Sequence, residues 1–127
     1  MLQFIWICVG GALGTGSRYL VGVWAAKALG AGFPYGTLIV NVVGSFLISV
    51  VMYLSVDAGA IPLPVRLFLT TGFMGGFTTY SSFNYETLKL FQSGAWGIAA
   101  TNLLATLLSC AGAGLLGLSV ASRVAAR

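Results

Sequence analysis

Histidine is absent from this 127-residue sequence, and acidic residues are nearly so, since it holds only two. Histidine is the usual metal ligand and the usual proton shuttle near neutral pH, so no metal site or catalytic pair can be built on it. The six basic residues, which give a net charge of +4, are scattered rather than clustered into the patch that nucleic acids bind. The sequence also lacks a nucleophile–base pair, a metal cluster and a phosphate-binding motif. We therefore expect neither an enzyme nor a nucleic-acid-binding protein.

Apolar residues, by contrast, make up 58% of the sequence, while charged residues make up 6%. Soluble domains carry about 25% charged residues, so a mean hydropathy of +0.99 indicates a multi-pass protein of the lipid bilayer. A helix needs about 20 apolar residues to cross the bilayer, and four segments reach that length. We predict an all-α membrane protein with a single four-helix transmembrane domain over residues 1–127. Its spans are predicted at about residues 2–28, 35–56, 65–91 and 95–121.

The third segment holds the most unusual stretch of the chain, Thr70–Phe83. It has three glycines within five residues and then five consecutive hydroxyl side chains, Thr78–Ser82. Glycine costs roughly 1 kcal/mol per helix position relative to alanine, and serine and threonine hydroxyls compete for backbone hydrogen bonds. We therefore predict that the third helix is broken near its middle. Unpaired backbone at membrane depth must be buried in protein or line a water-filled cavity, which makes the break a candidate site for ions or substrate.

Single polar side chains in the first two segments are further candidates. Arg18 lies well inside the first span, where arginine is costly and usually functional, so it either forms an electropositive vestibule for an anion or snorkels to the interface. Thr37, Asn41 and Ser45 recur at a spacing of four and share one helix face. The Asn41 amide offers two donor hydrogens and an acceptor, which serve either an ion or an interhelical hydrogen bond.

Three further patterns concern packing and polar pairs. Gly10 and Gly14 form a GxxxG pair, which predicts close helix packing. Glu86 is the only acid within a span, and we expect it to pair with Lys89, three residues on, with a proton or cation site as the alternative. The fourth segment carries a polar stripe that either lines a pore or bonds to its own backbone. Its members are Asn102, Thr106, Ser109 and Cys110.

The distribution of lysine and arginine gives a weak orientation signal. With four spans, Arg66, Arg123 and Arg127 fall on one side of the membrane, and Lys27 and Lys89 fall on the other. The side richer in these residues sets the orientation, and three against two is a small difference. A chain with so little bias could insert both ways.

Three motifs give the sequence a specific resemblance. The first is a glycine-rich run that leads to Arg18, the second joins Gly36 to Asn41, and the third is the stretch that carries the break. Written out, they are Gly10-Gly11-Ala12-Leu13-Gly14-x-x-x-Arg18-Tyr19, Gly36-Thr37-Leu38-x-x-Asn41 and Thr71-Gly72-Phe73-Met74-Gly75-Gly76-Phe77-Thr78-Thr79-Tyr80-Ser81-Ser82-Phe83. Together with the length and the order of the spans, they make the chain resemble the Fluc (CrcB) fluoride ion channel family over nearly all of its residues.

The resemblance implies a fluoride-selective channel that passively exports fluoride from the cytoplasm across the cell inner membrane and so limits its toxicity. It implies an antiparallel, dual-topology homodimer, with a homologous second subunit as the other possible partner. It also implies a structural sodium ion at the dimer centre, held by the backbone carbonyls of Gly75 and Thr78. The residues expected along the fluoride pathway are Asn41, Phe83, Tyr80, Ser81, Ser82, Thr37, Arg18, Thr106 and Cys110.

The sequence departs from the family pattern at three positions. Tyr80 stands where a pore phenylalanine is expected, and Cys110 and Gly114 stand where serine and threonine are common. These departures keep open a second hypothesis, a partner subunit of a heterodimeric fluoride channel. A third hypothesis, a small proton-coupled multidrug exporter, fits less well. Such a protein needs an acid that is typically in the first span, and here Glu86 would have to serve.

Overall fold

The computed structural model describes residues 1–127 as an all-helical chain without strands. Two π-helical segments, Tyr53–Asp57 and Phe68–Met74, extend α2 and join α3 to α4. The α-helices are α1 Leu2–Leu29, α2 Tyr35–Met52, α3 Leu63–Leu67, α4 Gly75–Phe77, α5 Tyr80–Gln92 and α6 Trp96–Ala125. The prediction of an all-α protein is confirmed.

Three of these helices are long and apolar enough to cross a membrane: Leu2–Leu29, Tyr35–Asp57 and Trp96–Ala125. They lie on the first, second and fourth of the predicted segments. The turns between elements use glycine where the backbone needs a positive φ, 84° at Gly30 and 80° at Gly94, because a residue without a Cβ adopts that conformation at little cost. The third predicted segment forms two shorter helices instead of one continuous helix.

The break lies at Thr78 and Thr79, one residue beyond the last of the three glycines. Residues 63–77 form one helical run, which we call the first half-helix, and α5 is the second half-helix. Thr78 and Thr79 are extended, with φ/ψ of −85°/158° and −154°/109°. Thr79 caps α5, since its hydroxyl accepts a hydrogen bond from the N–H of Ser82 at 3.2 Å, the usual role of an N-cap threonine. The predicted break near the middle of the third segment is confirmed.

Glycines bring α1 into close contact with the first half-helix. A Cβ on Gly14 would collide with the carbonyl oxygen of Phe73, and a Cβ on Gly10 would lie 2.6 Å from the carbonyl oxygen of Phe68. Close backbone approach of this kind requires small residues at the contact. The packing role predicted for Gly10 and Gly14 is confirmed.

The second helix supports the break from the other side. α2 makes its most extensive contact with α6 and also lies against α5 and the π segment of the first half-helix. Gly44 of α2 approaches the break so closely that a Cβ there would collide with the Thr78 methyl group. Helices therefore pack against the two extended residues and bury Thr79, while Thr78 stays half-buried. Backbone without helical hydrogen bonds needs such cover at membrane depth.

Candidate functional site

Asn41 and the break are joined by two hydrogen bonds. The Asn41 Nδ2 donates to the Thr79 carbonyl oxygen at 3.0 Å, and the Thr79 N–H donates to Asn41 Oδ1 at 2.8 Å. Both residues are buried. One amide side chain thus satisfies both backbone groups of a residue that the helix leaves unpaired. The interhelical bond weighed for Asn41 is confirmed, and it fixes the position of the break.

Two hydrogen bonds at the break, one to Asn41 and one to the Thr79 hydroxyl, divert backbone N–H groups from their normal helical partners. In a continuous helix, the Thr79 N–H would bond to the Gly75 carbonyl, and the Ser82 N–H would bond to the Thr78 carbonyl. Here the Thr79 N–H donates to Asn41, and the Ser82 N–H donates to the Thr79 hydroxyl. The carbonyls of Gly75 and Thr78 therefore lose their helical partners, which leaves their oxygens free to bind something else.

A cavity of about 290 Å³ opens beside the break, and we call it the Phe83 cavity. Phe83 is buried, whereas Tyr80 is 74% exposed, and their rings meet edge to face at a centroid distance of 5.8 Å. Aromatic ring edges carry partial positive charge. The other lining residues are Asn41, Gly44, Ser45, Ile48, Met74, Thr78, Thr106, Leu107 and Cys110.

A second cavity, of about 330 Å³, contains the embedded arginine, and we call it the Arg18 cavity. Arg18 forms no ion pair with either of the two acids in the chain. The Glu86 carboxylate accepts a hydrogen bond from Thr37 instead, and Asp57 lies at the end of the π segment after α2. An unpaired guanidinium among hydroxyls makes this cavity electropositive. The other lining residues are Thr15, Tyr19, Gly22, Gly36, Thr37, Val40, Thr79 and Ser82.

The third cavity, of about 610 Å³, surrounds Glu86, and we call it the Glu86 cavity. The Thr37 hydroxyl donates to Glu86 Oε1 at 2.8 Å, while the buried Oε2 has no hydrogen-bond partner. Lys89 does not pair with Glu86; its Nζ lies 5.7 Å from the centroid of the Tyr85 ring. The predicted Glu86–Lys89 pair is wrong, because the carboxylate turns inward to α2 while the longer lysine side chain lies over a neighbouring aromatic face.

The three cavities form a series along the second half-helix. Thr37 lines both the Glu86 cavity and the Arg18 cavity. Thr79 lines the Arg18 cavity, and its hydrogen-bond partner Asn41 lines the Phe83 cavity. Polar side chains from α1, α2 and α5 thus line neighbouring cavities beside the break.

The fourth-segment stripe divides between the two roles considered for it. Ser109 donates to the carbonyl oxygen of Ala105 on its own helix, the local bonding that serine often shows in spans. Thr106 and Cys110 instead line the Phe83 cavity. The stripe is therefore partly a cavity wall and partly self-satisfied.

The residues predicted for the pathway are brought together in two groups. Asn41, Phe83, Tyr80, Thr106 and Cys110 line the Phe83 cavity, and Arg18, Thr37 and Ser82 line the Arg18 cavity. Ser81 lines no cavity and is exposed. The role of all nine in ion passage stays a prediction.

Sequence reasoning missed Thr79, which pairs with Asn41, and Thr87, which is buried behind Phe83. The five-hydroxyl run pointed to Thr79, but nothing marked it as the residue that meets a side chain 38 positions away. Thr87 gave no signal, because it is one of many polar residues in the sequence of α5.

Three membrane-length helices packed with a broken segment that lines polar cavities define this chain as a small helical membrane protein. A family model described as CrcB-like protein, Camphor Resistance (CrcB), matches residues 5–118. The chain belongs to the CrcB family.

Three relatives that align with most of the chain share one name. The chain is 56% identical, over 110 residues and 87% of both chains, to the fluoride-specific ion channel FluC of Anaeromyxobacter dehalogenans. It is 47% identical to the FluC of Geobacter metallireducens, over 95% of this chain and 98% of the relative. It is 46% identical to the FluC of Sorangium cellulosum, over 99% of both chains. The family is thus one of ion channels by name.

Proposed function

We propose that this chain forms a fluoride-selective channel that lets fluoride leave the cytoplasm passively across the cell inner membrane. The observation that supports this most directly is the series of cavities around the break. It is lined by amide, hydroxyl and guanidinium donors and holds one carboxylate. The relatives' names add the identity of the ion, fluoride.

Fluoride is small and strongly hydrated, so a channel must replace its water with many hydrogen-bond donors. Arg18 supplies a positive charge that attracts anions into the Arg18 cavity. The second N–H of the Asn41 amide and the Thr106 hydroxyl supply neutral donors, and the edges of Phe83 and Tyr80 supply weak positive potential. A pathway of weak, successive partners allows an ion to enter and also to leave.

The same arrangement supports passive flow, by which the channel would protect the cell from fluoride. None of the cavities holds a histidine, and Glu86, the one acid in them, is already bound by Thr37. A passive channel moves fluoride down its gradient, which is outward whenever the cytoplasm has accumulated the ion. The proton-coupled exporter finds no support in the relatives, because those reported above carry the name of a fluoride channel.

We propose that two chains assemble as an antiparallel homodimer with four spans each, the third being the pair of half-helices. Only 17 of 127 residues are buried in the single chain, and Tyr80, at the start of α5, is mostly exposed beside the Phe83 cavity. A second copy against this face would cover the break and complete the cavity wall. The small lysine and arginine bias suits a chain that inserts in both orientations.

A sodium ion fits the backbone at the break. Carbonyl oxygens are the ligands that a hard cation prefers, and the Gly75 and Thr78 carbonyls are those that lose their helical partners to Asn41 and the Thr79 cap. If a second copy lies against the break, its two carbonyls would add to these and hold one ion between the chains. The ion's contribution would be structural, since it would tie the two breaks together.

The decisive experiment is ion efflux from liposomes that contain only this purified chain. Fluoride and chloride are compared with a potassium ionophore present to carry the counter-current, and protein-free liposomes set the leak. We expect fast fluoride efflux without chloride efflux. Chloride flux equal to fluoride flux would contradict selectivity.

The second candidate function is that of a partner subunit in a heterodimeric channel. It is favoured by Tyr80 and Cys110, the two departures from the family pattern that line the Phe83 cavity. A partner subunit would give no flux of either ion alone and would gain fluoride flux on co-expression with a second family member. The liposome experiment therefore separates the two candidates.

A further inference from the structure

A chain of buried hydrogen bonds lies behind the Phe83 cavity and joins α6 to α5. Thr106 donates to Asn102 Oδ1 at 3.4 Å, Asn102 Nδ2 donates to the Thr87 hydroxyl at 2.9 Å, and Thr87 donates to the Phe83 carbonyl oxygen at 2.7 Å. All four residues are buried, and Asn102 is only 1% exposed. Thr106 and Phe83, the two ends, line the cavity, whereas Asn102 and Thr87 do not.

The Phe83 carbonyl fixes which group donates in each of these three hydrogen bonds. A peptide carbonyl oxygen can only accept a hydrogen bond, so the single proton of the Thr87 hydroxyl is committed to it. Thr87 can then only accept from Asn102, which turns the amide so that Nδ2 faces Thr87. The Asn102 Oδ1 consequently faces Thr106, and the Thr106 hydroxyl must be the donor in the last bond.

The three bonds are unequal, and the weakest one lies at the cavity. Hydroxyl hydrogen bonds are usually 2.7–2.8 Å long, so the 3.4 Å bond from Thr106 to Asn102 is loose. A hydrogen bond to a charged acceptor is roughly twice as strong as one between neutral groups. An anion in the cavity can therefore draw the Thr106 proton toward itself, while the tighter bonds through Thr87 hold the helix turn that carries Phe83.

We infer that Asn102 is a positioning residue of the anion pathway, which touches no ion itself. It presents Thr106 as a donor that an anion can recruit, and it fixes Phe83 through Thr87. This inference rests on the proposal that the Phe83 cavity carries fluoride. Asn102 acts only through its neighbours, so its effect on Phe83 depends on the hydroxyl of Thr87.

The first test uses variants of Thr87 in the liposome assay. Thr87→Val removes the hydroxyl and keeps the side-chain shape, whereas Thr87→Ser keeps the hydroxyl. We expect the fluoride rate constant to fall roughly five- to tenfold in Thr87→Val, the factor that corresponds to about one net hydrogen bond, and to recover in Thr87→Ser. The matched control is Thr101→Val, next to Asn102, because the exposed Thr101 hydroxyl bonds only to the Gly97 carbonyl of its own helix.

The assay separates positioning from folding. The amplitude of efflux reports the fraction of vesicles with a folded channel, and the rate constant reports each channel. A fall in rate at unchanged amplitude supports the inference, as does a double variant, Asn102→Ala with Thr87→Val, that is no slower than Asn102→Ala alone. Loss of amplitude alone, or effects that multiply in the double variant, would overturn it.

A second measurement is independent of ion flux. In protein labelled with 4-fluorophenylalanine, the ¹⁹F signal of residue 83 is assigned by its loss in Phe83→Leu. We expect Thr87→Val to move this signal and Thr87→Ser and Thr101→Val to leave it in place. If the signal does not move in Thr87→Val while the unsubstituted protein conducts fluoride, the inference about Asn102 is overturned and the proposed function stands. A moved signal in a chain without flux would remove the proposed function, and with it the role of Asn102 toward an anion.

Discussion

Asn41 does two things at once at the scale of the single residue. Its amide pairs with both backbone groups of Thr79, and its side chain also lines the Phe83 cavity. The polar group that holds the break is therefore the group that an ion in the cavity would meet. A substitution here acts on the backbone and on the ion together, so its charge and its hydrogen-bonding capacity must be considered separately.

Asn41→Asp should abolish fluoride flux, to the level of protein-free liposomes. The carboxylate cannot donate to the Thr79 carbonyl, and it places a like charge in the path of an anion at low dielectric. Efflux from liposomes measures this, with Asn84→Asp, the same change at an exposed position of α5, as the control. Unchanged flux in Asn41→Asp would remove Asn41 from the pathway.

Tyr80→Phe should keep or raise fluoride flux. The Tyr80 hydroxyl makes no hydrogen bond within the chain, and the ring already meets Phe83 edge to face, so the phenyl edge remains after the change. The same efflux assay measures it, with Tyr53→Phe, which lines none of the cavities, as the control. A large loss of flux would mean that the hydroxyl itself serves the ion.

The sequence predicted local features better than distant pairings. The glycines and hydroxyls of the third segment predicted the break because both act on their own backbone. The partner of Glu86 was predicted wrongly, since Lys89 is near in sequence whereas Thr37, the true partner, is 49 positions away. Which distant residues meet depends on how the helices pack, and single-residue patterns do not carry that information.

At the scale of the elements, the fit of α1 against the first half-helix depends on missing side chains. Gly14 meets the Phe73 carbonyl with no room for a Cβ, whereas nothing lies within 4 Å of a Cβ on Gly16. Both glycines are in the same helix, so they have the same helix propensity. Comparing alanine at these two positions therefore separates the effect of the close contact from the effect of helix propensity.

Gly14→Ala should lower the free energy of unfolding of the protein in detergent by about 1–3 kcal/mol, the usual cost of overpacking a tight contact. Gly16→Ala should be neutral or slightly stabilising, because alanine favours helix more than glycine does. Thermal unfolding followed by circular dichroism measures both. Equal stability in the two variants would show that α1 can shift away from the first half-helix at no cost.

At the scale of the whole molecule, the proposed dimer depends on how each chain enters the membrane. The proposed insertion in both orientations requires that Arg66, Arg123 and Arg127 on one side nearly balance Lys27 and Lys89 on the other. An antiparallel dimer needs both orientations. Charge at the flanks, added at positions that line none of the cavities, should therefore control activity through orientation alone.

Two variants test this by opposite bias. The variant Ala125→Arg with Ala126→Arg favours one orientation. The variant Gln92→Arg with Ala28→Arg, combined with Arg123→Gln, favours the other, and none of these positions lines a cavity. Each variant expressed alone should give little fluoride efflux from membrane vesicles, because antiparallel partners become rare. Co-expression should restore efflux, since the two biased chains supply both orientations. Full efflux from each variant alone, with a fixed orientation shown by labelling of single cysteines at the flanks, would mean that the functional dimer is parallel or that one chain suffices.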